Sequence, residues 1–461
     1  MSGVYRYNGK ILKRLEMTMI KKGSLTGLLL FGMFFGAGNL IFPPQLGLES
    51  GQNFWPAIGG FVLSGVGIAI LTLIIGTLNP KGYIDEISKK IAPWFAVVYL
   101  VALYLAIGPF FAIPRTATTA FSVGIEPMLP AGSHAIWLFG FTLVYFAFAY
   151  LIALNPSKIL DSIGRYLTPI FALLIVVLVV LGAAKYGSTA PQGATAEYAA
   201  SAFGAGFLQG YNTLDALASV AFSVVAVTTL NQLGFKNKKE YISTIWIVGI
   251  LVALGFSVLY IGLAFLGNHF PLNLANLPKG ANVGASVLSS ATQAIFGPMA
   301  QIFLAIMVTV TCFTTTAGLI VSTGEFFHNT FPKVSYKVYA TIFTLVGFAI
   351  ANLGLNAIIQ YSVPALEILY PITITIVMIV MVNRFLPLSK PGMQLTIAVV
   401  TLIAFASILG RQFKLTAILN LVNALPFAQA SLPWLLPALV GILLSLLLPN
   451  KQKSEAFEFE A

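Results

Sequence analysis

Residues 31–47 read Phe31-Gly32-Met33-Phe34-Phe35-Gly36-Ala37-Gly38-Asn39-Leu40-Ile41-Phe42-Pro43-Pro44-Gln45-Leu46-Gly47, inside the first segment apolar enough to cross a bilayer. Hydrocarbon offers backbone N–H and C=O groups no partners, so non-helical chain survives at membrane depth only beside protein or a polar cavity. Gly36, Gly38 and Asn39 are poor helix formers, and Pro43 and Pro44 remove two further donors. Close helix packing through small residues would account for the glycines but not for Asn39 followed by a Pro-Pro pair. The helix is expected to open here, presenting N–H groups of one half to an anion and carbonyls of the other to a cation. Both ends of a zwitterion would then be held, which implies a transport site.

Composition agrees. The chain has 461 residues, 58% hydrophobic and 8% charged, whereas a soluble domain carries roughly 25% charged residues. The mean hydropathy is +0.91. A single Cys312 and three scattered histidines, His134, His269 and His328, provide neither a disulfide pair nor a zinc or haem ligand set. The formal charge of +11 is sorted along the chain by topology, not gathered into a nucleic-acid footprint.

Apolar runs long enough for a membrane helix fall near 24–46, 54–78, 94–122, 134–154, 164–185, 203–230, 242–266, 293–324, 337–352, 356–383, 393–410 and 432–448, predicting twelve spans with no room for a soluble domain. With the N-terminus cytoplasmic, twenty of the 25 basic residues fall in inner segments, leaving Lys185, Lys279, Arg411 and Lys414 outside and Arg115 within a span. By the positive-inside rule both termini face the cytoplasm, and the basic excess serves insertion and contact with anionic lipid heads. The first apolar segment outruns a signal peptide and is expected to be retained.

The sixth span repeats the character of the first: Gly204, Gly206 and Gly210 precede Tyr211, Asn212, Thr213, Leu214 and Asp215. Five helices separate the two, so the sixth crosses in the opposite sense, as in an inverted repeat whose broken helices meet at the midplane. The expected fold is an all-α membrane protein. Its parts are an N-terminal tail (1–23), a first five-helix repeat (24–185), a second inverted repeat (203–384), two peripheral helices (393–448) and a C-terminal tail (449–461) bearing the solvated acids Glu455, Glu458 and Glu460.

Span eight carries Thr309, Thr311, Thr314, Thr315 and Thr316. Membrane threonines commonly bond back to their own helix, the expected state of Thr309, Thr311 and Thr316. The adjacent Thr314 and Thr315 are candidate ligands for a sodium-like cation, together with carbonyls freed at Gly32 and Phe35. Arg115, Asp215 and Glu367 are ionisable residues in apolar context, each costing about 3 kcal/mol at a helix centre, so each needs a partner. An Arg115–Glu367 pair is expected, as external gate or structural clasp. Asp215 is placed to receive a substrate ammonium, relay a proton or cap the second half-helix. Of Phe34, Phe35, Phe42, Phe110, Phe111 and Phe207, most should pack in core or lipid and a few wall a pocket.

Three stretches, Phe34-Phe35-Gly36-Ala37-Gly38-Asn39-Leu40-Ile41-Phe42-Pro43-Pro44, Gly108-Pro109-Phe110-Phe111-Ala112-Ile113-Pro114-Arg115-Thr116-Ala117 and Phe313-Thr314-Thr315-Thr316-Ala317-Gly318-Leu319, together resemble the bacterial branched-chain amino acid:cation symporter family. The likeness spans nearly the whole chain. It implies a LeuT-like fold and inward transport of leucine, isoleucine and valine, coupled to sodium or protons by alternating access across the bacterial inner membrane. Carried over by motif, substrate would lie on Gly36, Ala37, Gly38 and Asn39 and on Tyr211, Asn212, Thr213 and Leu214. The cation would be held by Gly32, Phe35, Thr314 and Thr315. The Leu40-Ile41 spacer is one residue shorter than in LeuT-like sodium transporters.

The expected activity is therefore sodium-coupled symport, with no cofactor, nucleic acid or obligatory protein partner. The rivals are a proton-coupled carrier or exchanger on the same scaffold, titrating Asp215 or Glu367, and an intramembrane enzyme or a channel. No His-Glu-x-x-His, phosphate loop or paired acidic motif supports the enzyme, and no ring of like charges or repeated carbonyl filter supports the channel.

Overall fold

Two interruptions, at Phe35–Gly36 and at Asn212–Leu214, organise the helices. The computed structural model describes residues 19–79, 81–130, 134–154, 159–235, 237–278 and 280–452. Arg6, Lys10, Lys13, Arg14, Lys158, Lys236, Lys279, Lys453 and the three tail acids lie outside them.

Helix α1 (Met19–Phe34) stops at Phe35 and Gly36, and α2 (Ala37–Ser50) resumes. The chain then runs through α3 (Phe54–Val62), a π-turn at Leu63–Gly67, α4 (Ile68–Thr77) and α5 (Gly82–Lys90). Next come α6 (Pro93–Leu105), a π-turn at Ala106–Phe110, α7 (Ala112–Ala120), α8 (His134–Leu154) and α9 (Ile159–Tyr186). The second interruption separates α10 (Ala196–Tyr211) from α11 (Asp215–Leu233). The remaining helices are α12 (Lys238–His269), α13 (Val283–Phe296), α14 (Ala300–Thr330), α15 (Tyr336–Ala351), α16 (Leu355–Phe385), α17 (Lys390–Gln412), α18 (Thr416–Asn423) and α19 (Leu435–Leu447). A two-residue strand β1 (Leu388–Ser389) pairs antiparallel with β2 (Lys451–Gln452), Leu388 opposite Gln452, which ties the end of the described chain to the α16–α17 connection.

Among the described residues seven helical stretches are long and apolar enough to cross a membrane, or eight if α10 and α11, bent by 41°, form one broken span. Their outward faces are apolar: Phe139, Leu143, Val258 and Leu402 are among the exposed large side chains. This is a lipid-facing surface, since water would not tolerate so broad an apolar exterior.

The first interruption falls at Phe35–Gly36, upstream of the prolines. Gly36 is extended (φ −134°, ψ −162°), and Pro43 and Pro44 lie inside α2. A helix can hold two internal prolines only if the carbonyls they release, and those at its end, are looked after. Nearly all of α2 is buried. Its closing carbonyls, Gly47 and Gly51, each accept from Asn268 Nδ2 of α12 at 2.8 Å. The α2–α12 contact is backbone against backbone, since a methyl group on Gly47 would overlap the Ala264 carbonyl and one on Gly267 the Pro44 carbonyl. Small residues let membrane helices approach this closely.

The π-turn at Ala106–Phe110 contains Gly108 (φ −94°, ψ −124°) and Pro109. Pro109 has no N–H to give, so the helix widens and α7 leaves at a new angle. That turn sets the direction in which Arg115 points.

Candidate functional site

At the second interruption, Asn212, Thr213 and Leu214 bond back only three residues, to Gln209, Gly210 and Tyr211. Leu214 adopts the left-handed conformation (φ 66°, ψ 7°), which costs a residue with a Cβ about 1–2 kcal/mol. Such strain persists where the surroundings over-determine it. Here Asp215 N–H donates to Thr213 Oγ1 at 3.3 Å, and Arg115 Nη1 donates to the Asn212 carbonyl at 2.6 Å. A longer bond runs from Arg115 Nη2 to the Thr213 carbonyl at 3.4 Å. The carbonyl end of α10 is the negative pole of its macrodipole, so a buried guanidinium is favoured there. Arg115 also lies over the Phe42 ring, 5.3 Å from its centroid.

At the first interruption Asn39 works in two directions. Its Oδ1 accepts from Gly36 N–H at 2.9 Å, closing the opened turn. Its Nδ2 donates to Asp215 Oδ1 and Oδ2 at 3.2 and 3.0 Å. Tyr260 of α12 contacts Asn39 and donates its hydroxyl to Asp215 Oδ2 at 2.5 Å. One buried network thus joins α2, α11 and α12.

Between the interruptions lies a cavity of about 40 Å³, lined on one side by Gly36, Ala37, Gly38, Asn39, Arg115, Thr213, Leu214, Asp215 and Thr315. Met33, Phe34, Ile107, Phe222 and Leu319 form its apolar walls. At roughly 10–15 Å³ per water the space corresponds to a few water molecules. Phe34 meets Phe222 edge-on at 5.1 Å across it. Gly38 is required by the approach: a Cβ there would stand 3.1 Å from Thr213 Cα and 3.2 Å from Arg115 Nη2.

Thr315 of α14 donates to its own Thr311 carbonyl at 3.3 Å and lies 3.5 Å from the Phe35 carbonyl. Thr314 donates to Thr311 at 2.8 Å. Among the described residues no hydrogen bond brings Gly32 or Thr314 to the Phe35–Thr315 contact. Thr316 bonds back to Cys312 at 3.0 Å and meets Thr116 of α7 and Tyr145 of α8.

Several expectations change. Arg115 and Glu367 do not pair: Arg115 is held at the α10 carbonyls, and Glu367 of α16 forms an ion pair with Arg411 of α17. The π-turn before α7 aims Arg115 inward, while Glu367 faces the neighbouring helix. Asp215 stands in the first turn of α11, but its carboxylate accepts from Asn39 and Tyr260 instead of capping the N–H groups of its own helix. Tyr211 and Asn212 stand beside the cavity, not on its wall. The Tyr211 ring stacks on Tyr370 at 4.1 Å, and Asn212 takes part through its carbonyl. Of the six phenylalanines, Phe34 walls the cavity, Phe42 supports Arg115, Phe35 and Phe207 are core, and Phe110 is exposed.

Tyr260, Thr116 and Phe222 escaped sequence reasoning. Tyr260 carried a usable signal: a phenol buried in an apolar helix needs a hydrogen-bond partner. Phe222 carried none.

Residues 19–452 match the family model described as branched-chain amino acid transport protein. A protein of Staphylococcus haemolyticus (strain JCSC1435), provisionally named a branched-chain amino acid carrier, is 40% identical over 433 residues, covering 92% of this chain and 96% of its own. A like-named protein of Staphylococcus aureus (strain USA300) is 39% identical over 449 residues, covering 96% of this chain and all of its own. Among solved structures, MhsT in complex with L-phenylalanine superposes with a TM-score of 0.56 at 18% identity, covering 91% of this chain and 97% of that one. The inward-facing conformation of Mhp1 gives 0.55 at 14% identity, covering 94% and 92%. These likenesses show a shared, LeuT-like fold. The chain belongs to the branched-chain amino acid transport protein family: it is a multi-pass membrane transporter and not an enzyme.

Proposed function

We propose that this transporter carries leucine, isoleucine and valine into the cell together with a cation, sodium in the first instance, by alternating access. On this reading twelve spans form two inverted five-helix repeats with two peripheral helices, both termini are cytoplasmic, and the membrane is the bacterial inner membrane. The carrying observation is the cavity between two interrupted helices, polar at the interruptions and apolar beyond them. An α-amino acid with a branched aliphatic side chain has that same polarity. The apolar walls select the class but discriminate weakly within it, since one methylene is worth about 1–3 kcal/mol.

The cation is assigned to the contact where Thr315 of α14 meets the Phe35 carbonyl, with Thr314 and the Gly32 carbonyl completing the set as the helices adjust. Hydroxyl and carbonyl oxygens are hard ligands suited to a small cation. Cation binding would tie the first interruption to α14, and substrate would bridge the two interruptions. The pair would favour occlusion over either state alone.

Proton coupling is the second reading. It is favoured by the buried Asp215 carboxylate, which lines the cavity, accepts from Asn39 and Tyr260 and makes no ion pair among the described residues. Uptake of labelled leucine into proteoliposomes separates the readings. Replacing sodium with choline should abolish accumulation under sodium coupling and leave it intact under proton coupling. Insensitivity to both gradients would overturn symport.

A further inference from the structure

Arg115 and Asp215 are both buried, line the same cavity and carry opposite charges, yet make no ion pair with one another. Asp215 has two side-chain donors at its oxygens. Arg115 is less completely served. A guanidinium has five N–H groups, and its bonds to the Asn212 and Thr213 carbonyls use two, the second at 3.4 Å. Its buried Nε has no hydrogen-bond partner among the described residues. Carbonyl oxygens bring partial charge only, so among the described residues the cation has no anion in contact. A buried charge in that condition is costly.

The most economical missing partner is a carboxylate, and the molecule that fits between a guanidinium and a carboxylate is a zwitterion. We propose that Arg115 binds the α-carboxylate of the transported amino acid. The ammonium group then lies toward the Asp215 carboxylate, and the aliphatic side chain lies toward Phe34 and Phe222. Nothing in the sequence motifs assigns Arg115 to substrate, and its expected partner, Glu367, is taken by Arg411.

Two features of the backbone fit this role. Guanidinium recognises carboxylate with paired, charge-assisted hydrogen bonds, and Gly38 leaves its Nη2 edge free of any side chain on the facing helix. Because Arg115 also braces the carbonyls of Asn212 and Thr213, a carboxylate arriving on it is felt directly by the second interruption. Substrate binding and the conformation of the α10–α11 turn are thereby linked through one side chain.

The inference rests on the branched-chain amino acid reading. The test is equilibrium binding to the purified full chain of three ligands sharing one side chain: leucine, leucinamide and 3-methylbutylamine. Wild type should bind leucine at least about tenfold more tightly than leucinamide, the scale of a charge-assisted pair. Arg115→Gln should bring the ratio of leucine to leucinamide affinity down to about one; loss of the brace on the α10–α11 turn weakens both ligands alike and cancels in that ratio. Arg115→Lys should retain part of the discrimination. If Arg115→Gln weakens leucine and leucinamide equally, Arg115 is a brace alone and the proposal is overturned. Should the variants fail to fold, the wild-type comparison still decides: equal affinity for leucine and leucinamide overturns the carboxylate anchor while leaving the transport reading standing. If wild type binds none of leucine, isoleucine and valine, the substrate reading falls and the anchor falls with it.

Discussion

At the first interruption the exposed amide of Gly36 is taken up three residues later, by Asn39 of the same half-helix. At the second, the exposed carbonyls of Asn212 and Thr213 are taken up by Arg115, 97 and 98 residues earlier in the chain. The first is built from residues that need no help to leave a helix, glycine and asparagine. The second forces Leu214 into a left-handed conformation and relies on a buried cation from another helix to hold it. The first is therefore local and self-closing, and the second depends on the relative position of two helices. A transporter whose helices move against each other will transmit that motion at the second interruption, where the partner is remote.

This contrast breaks most sharply at Asn39. Asn39→Ala removes the cap on Gly36 and one of the two donors to Asp215, leaving a buried carboxylate short of a partner, and should cost about 3 kcal/mol. Leucine uptake should fall more than tenfold with a lowered melting temperature in detergent. Near-normal uptake would mean that the first interruption does not need its own cap.

Gly38→Ala asks whether the two interruptions must touch. The added methyl meets the Thr213 backbone, which cannot swing aside, and about 1–3 kcal/mol of overpacking is expected. Gly59→Ala and Gly140→Ala, with open space at the added carbon, should shift the melting temperature little. A Gly38→Ala protein as stable as these controls would show that the contact is loose.

Thr315→Val separates the interruptions by ligand. It deletes a hydroxyl facing only the first, so the sodium concentration for half-maximal uptake should rise about tenfold. The ratio of leucine to leucinamide affinity, measured with saturating sodium, should not change. A change in that ratio with unaltered sodium dependence would reverse the assignment of ion and carboxylate.

The smallest effect belongs off both sites. Glu367→Gln breaks an ion pair whose arginine is 53% exposed, worth no more than about 0.5–1 kcal/mol, and uptake should be within about twofold of wild type. A large loss would return Glu367 to the gate that sequence reasoning gave it.

Glycine, asparagine and proline at membrane depth were enough to locate both interruptions within a few residues, because backbone that cannot be satisfied in hydrocarbon leaves few sequences able to tolerate it. The apolar runs gave the membrane class by the same solvent argument. What the sequence left open was which ends meet. Arg115, Asp215 and Glu367 were identifiable as charges needing partners. The partners were decided by helix rotation and by the π-turn at Ala106–Phe110, which turns Arg115 toward α10 while Glu367 faces α17.

Tyr260 reaches Asp215 across 45 residues of chain for the same reason. The residue-by-residue solvation cost, a local property, determined that the helices break and where. The pairing of charges, which depends on contacts between residues far apart in sequence, was decided only when the helices packed.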